Sequence, residues 1–138
     1  MADATTYEDV ALPAQQVWDV IGDFANIRRW ATIVEEERVE EEAGRKLRVL
    51  TMAGGNSVKE TLVTSSQFSY TYSLVDNPTM KDYRSTIAVV PLDETSCRIE
   101  LIVHVGMAEG ATDEELTTRY TRFVRGNLKA MKKALGLV

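Results

Sequence analysis

Hydrophobic and polar positions change period three times along the chain, and each change marks an element. From Thr112 to Leu135, apolar Leu116, Tyr120, Phe123, Val124, Leu128, Met131 and Leu135 recur at steps of three and four, with Arg119, Arg122, Arg125, Lys129, Lys132 and Lys133 mostly between them. That spacing predicts a long helix with one apolar and one basic face. Thr112 and Glu115 form a capping box, and Asp113 and Glu114 place negative charge in the first turn. Lys132 and Lys133 suit the negative end of the dipole, and Gly136 supplies the C-cap. At helical rise the segment is roughly 35 Å long, about the width of a small domain. One member of its apolar stripe is polar: Asn127 sits where a hydrocarbon is expected, so it meets either a polar partner or a wet cavity.

At the other end, Tyr7 to Leu12 alternates loosely and stops at Pro13, as a first strand does when it runs into a helix with proline at its first position. Ala14, Val17, Trp18 and Ile21 give that short helix its buried stripe, and Gly22 ends it. Asn26 then caps a second short helix through Trp30. From Val34 to Val105 the period is two, with turns at Gly44, Gly54-Gly55-Asn56, Ser65-Ser66, Asp76-Asn77-Pro78 and Asp93-Glu94. This predicts an antiparallel meander whose inward residues include Phe68, Tyr70, Tyr72 and Leu74, then Tyr83, Ser85, Ile87 and Val89, then Cys97, Ile99, Leu101, Val103 and Val105.

The order is strand, two short helices, about six strands, long helix. The economical solution is an α+β fold in which a curved antiparallel sheet of about seven strands wraps the long C-terminal helix. Such a fold encloses volume between helix and sheet, where ligand sites tend to occur. With 138 residues and 44% hydrophobic content, residues 1–138 are expected to form a single domain with a real core.

Charge and cysteine content narrow the function. The net charge is -5, and Glu35, Glu36, Glu37, Glu40, Glu41 and Glu42 form a cluster read as a solvated strand end. Such a surface repels a phosphate backbone, so nucleic acid is not expected as a partner. One cysteine, Cys97, excludes an intramolecular disulfide and a cysteine-rich zinc site. With no signal-like start and no apolar run long enough to span a bilayer, the expectation is a cytoplasmic protein, monomer or homodimer, without stable membrane association.

Several motifs together resemble the helix-grip superfamily that includes the START domains, the birch-pollen allergen group and the bacterial polyketide cyclase/dehydrase-like proteins. They are Pro13-Ala-Gln-Gln-Val-Trp18, Asp23-Phe24 with Trp30, Gly44-Arg-Lys-Leu-Arg48, Lys59-Glu60-Thr-Leu62, Tyr70-Thr-Tyr72, Asp82-Tyr83-Arg-Ser85 and Gly126-Asn127-Leu128. They cover nearly the whole chain. The resemblance implies a helix-grip fold with a hydrophobic cavity for a small molecule and entrance loops at its mouth. The chain is also similar to plant abscisic-acid receptors in Tyr83-Arg-Ser85, Met107 to Gly110 and Asn127-Leu128. It departs from them at Ala31, where they carry a pocket lysine, and at Ala53-Gly54-Gly55 and Thr79-Met80-Lys81, where they carry gate and latch loops. Hormone sensing is therefore not expected. A cone-shaped steroid-isomerase-like fold also encloses an acidic pocket, but it usually places its helices ahead of the sheet.

Glu60 shares the more apolar face of its strand with Val58 and Leu62, which points a carboxylate inward. Desolvation raises the pKa of such a group toward the range of a general acid or base, unless a cation holds it ionised. Arg48 is that cation if it faces inward, which the resemblance favours and the flanking Leu47, Val49, Leu50 and Met52 leave open. The pair then reads either as structural or as functional. The candidates for chemistry are Glu60, Arg48 and Tyr83. Those for ligand contact are Trp30, Leu50, Met52, Tyr70, Tyr72, Ser85, Leu101, Val103, Tyr120, Phe123 and Asn127.

His104 is a lone histidine on outward parity, and no nucleophile elbow, phosphate loop or zinc-binding histidine pair occurs. No metal and no cofactor is expected. The leading expectation is a protein for a small hydrophobic molecule, polyketide- or terpenoid-like. If catalytic, it would be a cofactor-independent cyclase, lyase or isomerase that works by proton transfer through cyclisation, dehydration, isomerisation or epoxide opening. The rival is a non-catalytic carrier or sensor.

Overall fold

Short apolar side chains start the first strand five residues before the periodicity announces it. In the computed structural model, which describes residues 1–137, β1 spans Ala2–Val10. Ala2 and Ala4 point inward opposite Val105 and Val103, but alanine carries too little apolar surface to mark a strand in the sequence. Helix α1 spans Ala14–Ile21 with Pro13 as its N-cap, one position earlier than expected, and Gly22 ends it. A Cβ at Gly22 would lie 2.2 Å from the Trp18 ring, so glycine is what lets that ring fold back over the helix end.

The second short helix is a 3-10 turn, Phe24–Arg29. It is capped by Asp23, whose carboxylate accepts from Ala25 N at 2.9 Å. Asn26, expected as the cap, instead sits at a kink inside the element. Beyond the kink, Ile27 N donates to the Glu37 carboxylate at 3.0 Å. One member of the acidic cluster therefore anchors this turn to the sheet, which strand parity alone did not reveal.

The remaining strands are β2 Val34–Glu42, β3 Arg45–Met52, β4 Ser57–Ser66, β5 Ser69–Leu74, β6 Met80–Lys81, β7 Arg84–Pro91, β8 Cys97–Val105 and β9 Met107–Ala108. Among the described residues, β1 and six of these form one antiparallel sheet of seven strands in the order β1-β8-β7-β5-β4-β3-β2. Register shifts between Val34 and Glu36 and between Leu62 and Thr64 mark irregularities that bend and twist a sheet. The two-residue strands β6 and β9 pair separately and were not foreseen. They fasten the segment after Asp76-Asn77-Pro78 to the residues ahead of the long helix, with Glu109 N donating to Thr79 O at 2.6 Å.

The long helix, α2, spans Asp113–Ala134, and both halves of the Thr112/Glu115 capping box are made. Leu135 is the C-cap and Gly136 follows with φ +77°, while Leu137 N reaches back to Lys132 O. This is the expected glycine-terminated end, one residue further out. Leu116, Val124, Leu128 and Met131 are buried along α2, which rests on β1 and β8. Lys132 also pairs with Glu8 of β1 at 2.5 Å. The architecture is the expected helix-grip arrangement. Among the described residues no helix is long and apolar enough to cross a membrane.

Candidate functional site

β3 and β4 set Arg48 directly opposite Glu60, so the two side chains leave the sheet on the same face. That face is inward, which settles the parity the sequence leaves open: Arg48 is fully buried and Glu60 is 6% exposed. Arg48 Nε donates to Glu60 Oε1 at 2.7 Å and Nη1 donates to the Phe24 carbonyl at 3.0 Å, with the Tyr70 hydroxyl 3.4 Å away. The guanidinium carbon lies 4.2 Å from the Phe24 ring centre and 4.7 Å from that of Tyr72. Aromatic faces attract a desolvated cation. Arg48 therefore binds the 3-10 turn to the sheet, and among the described residues only its Nη2 lacks a partner.

Burial raises the Glu60 carboxyl above the usual carboxylate range, and the neighbouring guanidinium opposes the rise. Burial works to lower the Arg48 pKa, but Tyr70, Glu60 and Tyr72 outweigh it, so the arginine stays charged. Burial also raises the pKa of Tyr72 and Tyr83, which keeps both as neutral phenols able to donate.

Beside this pair a cavity of about 390 Å³ opens between the middle of α2 and the β2-to-β5 side of the sheet. It lies at the small end of the ~300–1,000 Å³ range of ligand sites. Of the candidates, Glu60, Tyr83, Trp30, Leu50, Met52, Tyr72, Tyr120, Phe123 and Asn127 line it. Trp30 Nε1 is buried without a partner among the described residues.

Arg48, Tyr70, Ser85, Leu101 and Val103 are not in the wall. Arg48 is screened by the rings around it. Tyr70 packs against Trp18 and Phe24 at the far end of the sheet face, with ring centres 6.1 and 5.7 Å away. Ser85 lies opposite Tyr72 across β5 and β7. Leu101 and Val103 belong to β8, on which α2 rests.

The wall also contains residues not singled out from sequence. Val58 and Leu74 were on the inward parity already. Ile33 and Met80 come from a connection and a short strand with no period, and Arg119 comes from the basic stripe next to Tyr120. Asn77 belongs to the Asp76-to-Thr79 turn, which its turn residues mark as an entrance loop, whereas the Gly54-Gly55-Asn56 turn, expected there too, is not in the wall. From Tyr70 through Tyr72, Tyr83 and Tyr120 to Phe123, successive ring centres lie 5.7 to 6.3 Å apart, so an aromatic ladder runs from the packed end to the mouth. Ile33 and Phe123 form exposed apolar edges of that mouth.

A groove of about 560 Å³ on the other flank of α2, between Tyr7, Leu128 and Lys132, is larger. Among the described residues it holds no buried ionisable side chain, so it lacks the desolvation that raises the Glu60 pKa. His104 lies on the outer face with Nδ1 2.8 Å from Asp3. Among the described residues no three His, Cys, Asp or Glu side chains converge as metal ligands do.

The chain is similar to an uncharacterised Bacillus thuringiensis protein of solved structure, with 26% identity, TM-score 0.85 and coverage of 97% of this chain and 98% of that one. It is similar to the protein XoxI of Bacillus cereus, with 27% identity, TM-score 0.85 and coverage of 98% and 96%. It shares the fold of the Zhui aromatase/cyclase from a Streptomyces species, with 17% identity, TM-score 0.72 and coverage of 96% and 90%. No curated protein matches the chain. Residues 1–136 match the family described as polyketide cyclase / dehydrase and lipid transport, and the chain belongs to that family.

Proposed function

We propose that the cavity binds a small, largely hydrophobic molecule, polyketide- or terpenoid-like, and that Glu60 acts on it as a general acid or base without a cofactor. One observation carries this: a buried carboxyl sits in a wall made mainly of apolar and phenolic groups, with Asn77, Arg119 and Asn127 as its other polar members. The bond to Arg48 occupies Oε1 and leaves Oε2 for a ligand. A carboxylate held so takes a proton from carbon beside a ligand carbonyl, and the enolate oxygen formed accepts from the neutral hydroxyls of Tyr83 or Tyr72. Returning the proton elsewhere on the same molecule gives isomerisation. Returning it to a departing hydroxyl gives dehydration. The family description and the aromatase/cyclase that shares the fold support this class of chemistry.

The rival reading is a carrier or sensor. The cage around Arg48 favours it, because a pair tied to Phe24 and Tyr70 also serves as architecture. Native mass spectrometry of the protein purified from its own host identifies the bound molecule. With that molecule, Glu60→Gln is expected to abolish turnover while retaining binding. Unimpaired turnover in Glu60→Gln would sink the acid/base role, and binding with no turnover in either form selects the carrier.

A further inference from the structure

The charges around the cavity do not cancel. Glu60 is matched by Arg48 at 2.7 Å, which leaves that end of the wall close to neutral. Apart from tyrosines, the other ionisable side chain in the wall is Arg119. It forms no ion pair among the described residues. Glu115, one turn earlier on α2, is engaged in the capping box, with Oε1 accepting from Thr112 N at 3.3 Å. Arg119 precedes Tyr120 on α2, and both line the cavity, where Arg119 is solvent-exposed and so belongs to its open side. The chain as a whole is acidic, with net charge -5, yet the wall of this cavity carries an unmatched positive charge.

We infer that the ligand is an amphipathic monoanion, a carboxylic acid with an apolar body, and that Arg119 holds its carboxylate at the mouth. This rests on the cavity being the ligand site. The planar fork of arginine matches a carboxylate with two parallel hydrogen bonds. One unmatched cation balances one negative charge, whereas a phosphate monoester would bring a second with no partner. The apolar body then lies against Leu50, Met52 and Phe123, and its far end reaches Glu60 and Tyr83. Arg119 is thus a residue that determines specificity and sets which end of the molecule enters first.

The test is calorimetric titration of the full chain with decanoate and with decan-1-ol, two probes of equal length that differ in the charged group. Decanoate is expected to bind about tenfold more tightly, the scale of one charge-assisted hydrogen bond. Added salt should erode the preference. Arg119→Gln removes the preference and leaves decan-1-ol unchanged. Arg119→Lys, which keeps the charge but loses the fork, retains part of it. Both side chains are good helix formers on an exposed helix position, so folding is preserved. Arg122→Gln, on the same basic face but outside the cavity wall, leaves both affinities unchanged.

Equal affinities for the two probes overturn the assignment of Arg119 and leave the cavity reading standing. So does an equal loss in the Arg119 and Arg122 variants, which marks a diffuse field. Binding of neither probe overturns both.

Discussion

Two regions of the interior meet along α2 and differ in how they treat polar groups. On one side Leu116, Val124, Leu128 and Met131 are buried where the helix rests on β1 and β8. On the other, Tyr120, Phe123 and Asn127 border a void of about 390 Å³. The stripe that reads as continuous in the sequence therefore serves two purposes, because one helix resting on one edge of a curved sheet stands away from the other. Arg48 and Asn127 show the contrast at single residues. Arg48 is enclosed by Phe24, Tyr70 and Tyr72 and bonded to Glu60, while Asn127 keeps its amide at a cavity wall. A buried polar group that is satisfied locks structure, and one facing a void is available to a ligand.

The largest effect expected from breaking this contrast is at Arg48. Arg48→Met leaves Glu60 buried without its cation and should cost about 3–5 kcal/mol in urea denaturation. Adding Glu60→Leu should restore most of that loss, and a double-mutant cycle without coupling would show that the two are not one unit. Next is the packed side of α2. Met131→Ala should cost about 2–5 kcal/mol through the space it leaves, whereas Asn127→Ala should stay within about 0.5 kcal/mol. Equal losses would erase the distinction between the two sides.

A smaller effect is a pH dependence. The folded-state pKa of Glu60 is raised above its ordinary 4.5, first by burial. Its protonated form is therefore favoured by folding, and the stability this confers is fully present below about 4.5 and lost as pH rises through the raised value. The stability advantage of the native chain over Glu60→Gln should accordingly shrink with rising pH in that window. Thermal melts at a series of pH values check this, and an advantage that grows with pH would mean that Arg48 dominates over burial. The smallest effect belongs to an exposed counterpart. Arg98 Nε donates to Asp9 at 2.7 Å across β1 and β8, but on the outer face, so Asp9→Asn should leave the melting temperature almost unchanged.

What the sequence disclosed follows the strength of its periodic signals. The alternation of Tyr70, Tyr72 and Leu74, the heptad-like stripe of α2 and the Thr112/Glu115 box each combine a local chemical rule with a long apolar pattern, and the element boundaries follow closely. Ala2 and Ala4 lack the bulk to signal a strand, and β6 and β9 are too short to have a period. Glu37 looked like one more solvated acid because its partner, the backbone of the 3-10 turn, is a tertiary contact. The same limit applied to the cavity wall. Alternation gave the inward face, but which inward residues are covered by α2 and which remain open depends on where the helix lies. Leu101 and Tyr72 share a parity and not a fate, and Arg119 looked like one charge among six on a basic stripe.

The five methionines allow the division to be read directly. Met52 and Met80 line the cavity, Met131 is fully buried on the packed side, and Met1 and Met107 are exposed. With methyl-labelled methionine and 2-naphthol as a neutral apolar probe, the methyl signals of Met52 and Met80 should shift together along one binding curve while Met131 stays in place. Movement of Met131 to the same extent, or heat of binding with Met52 and Met80 unmoved, would contradict the assignment of the ligand to this side of the helix.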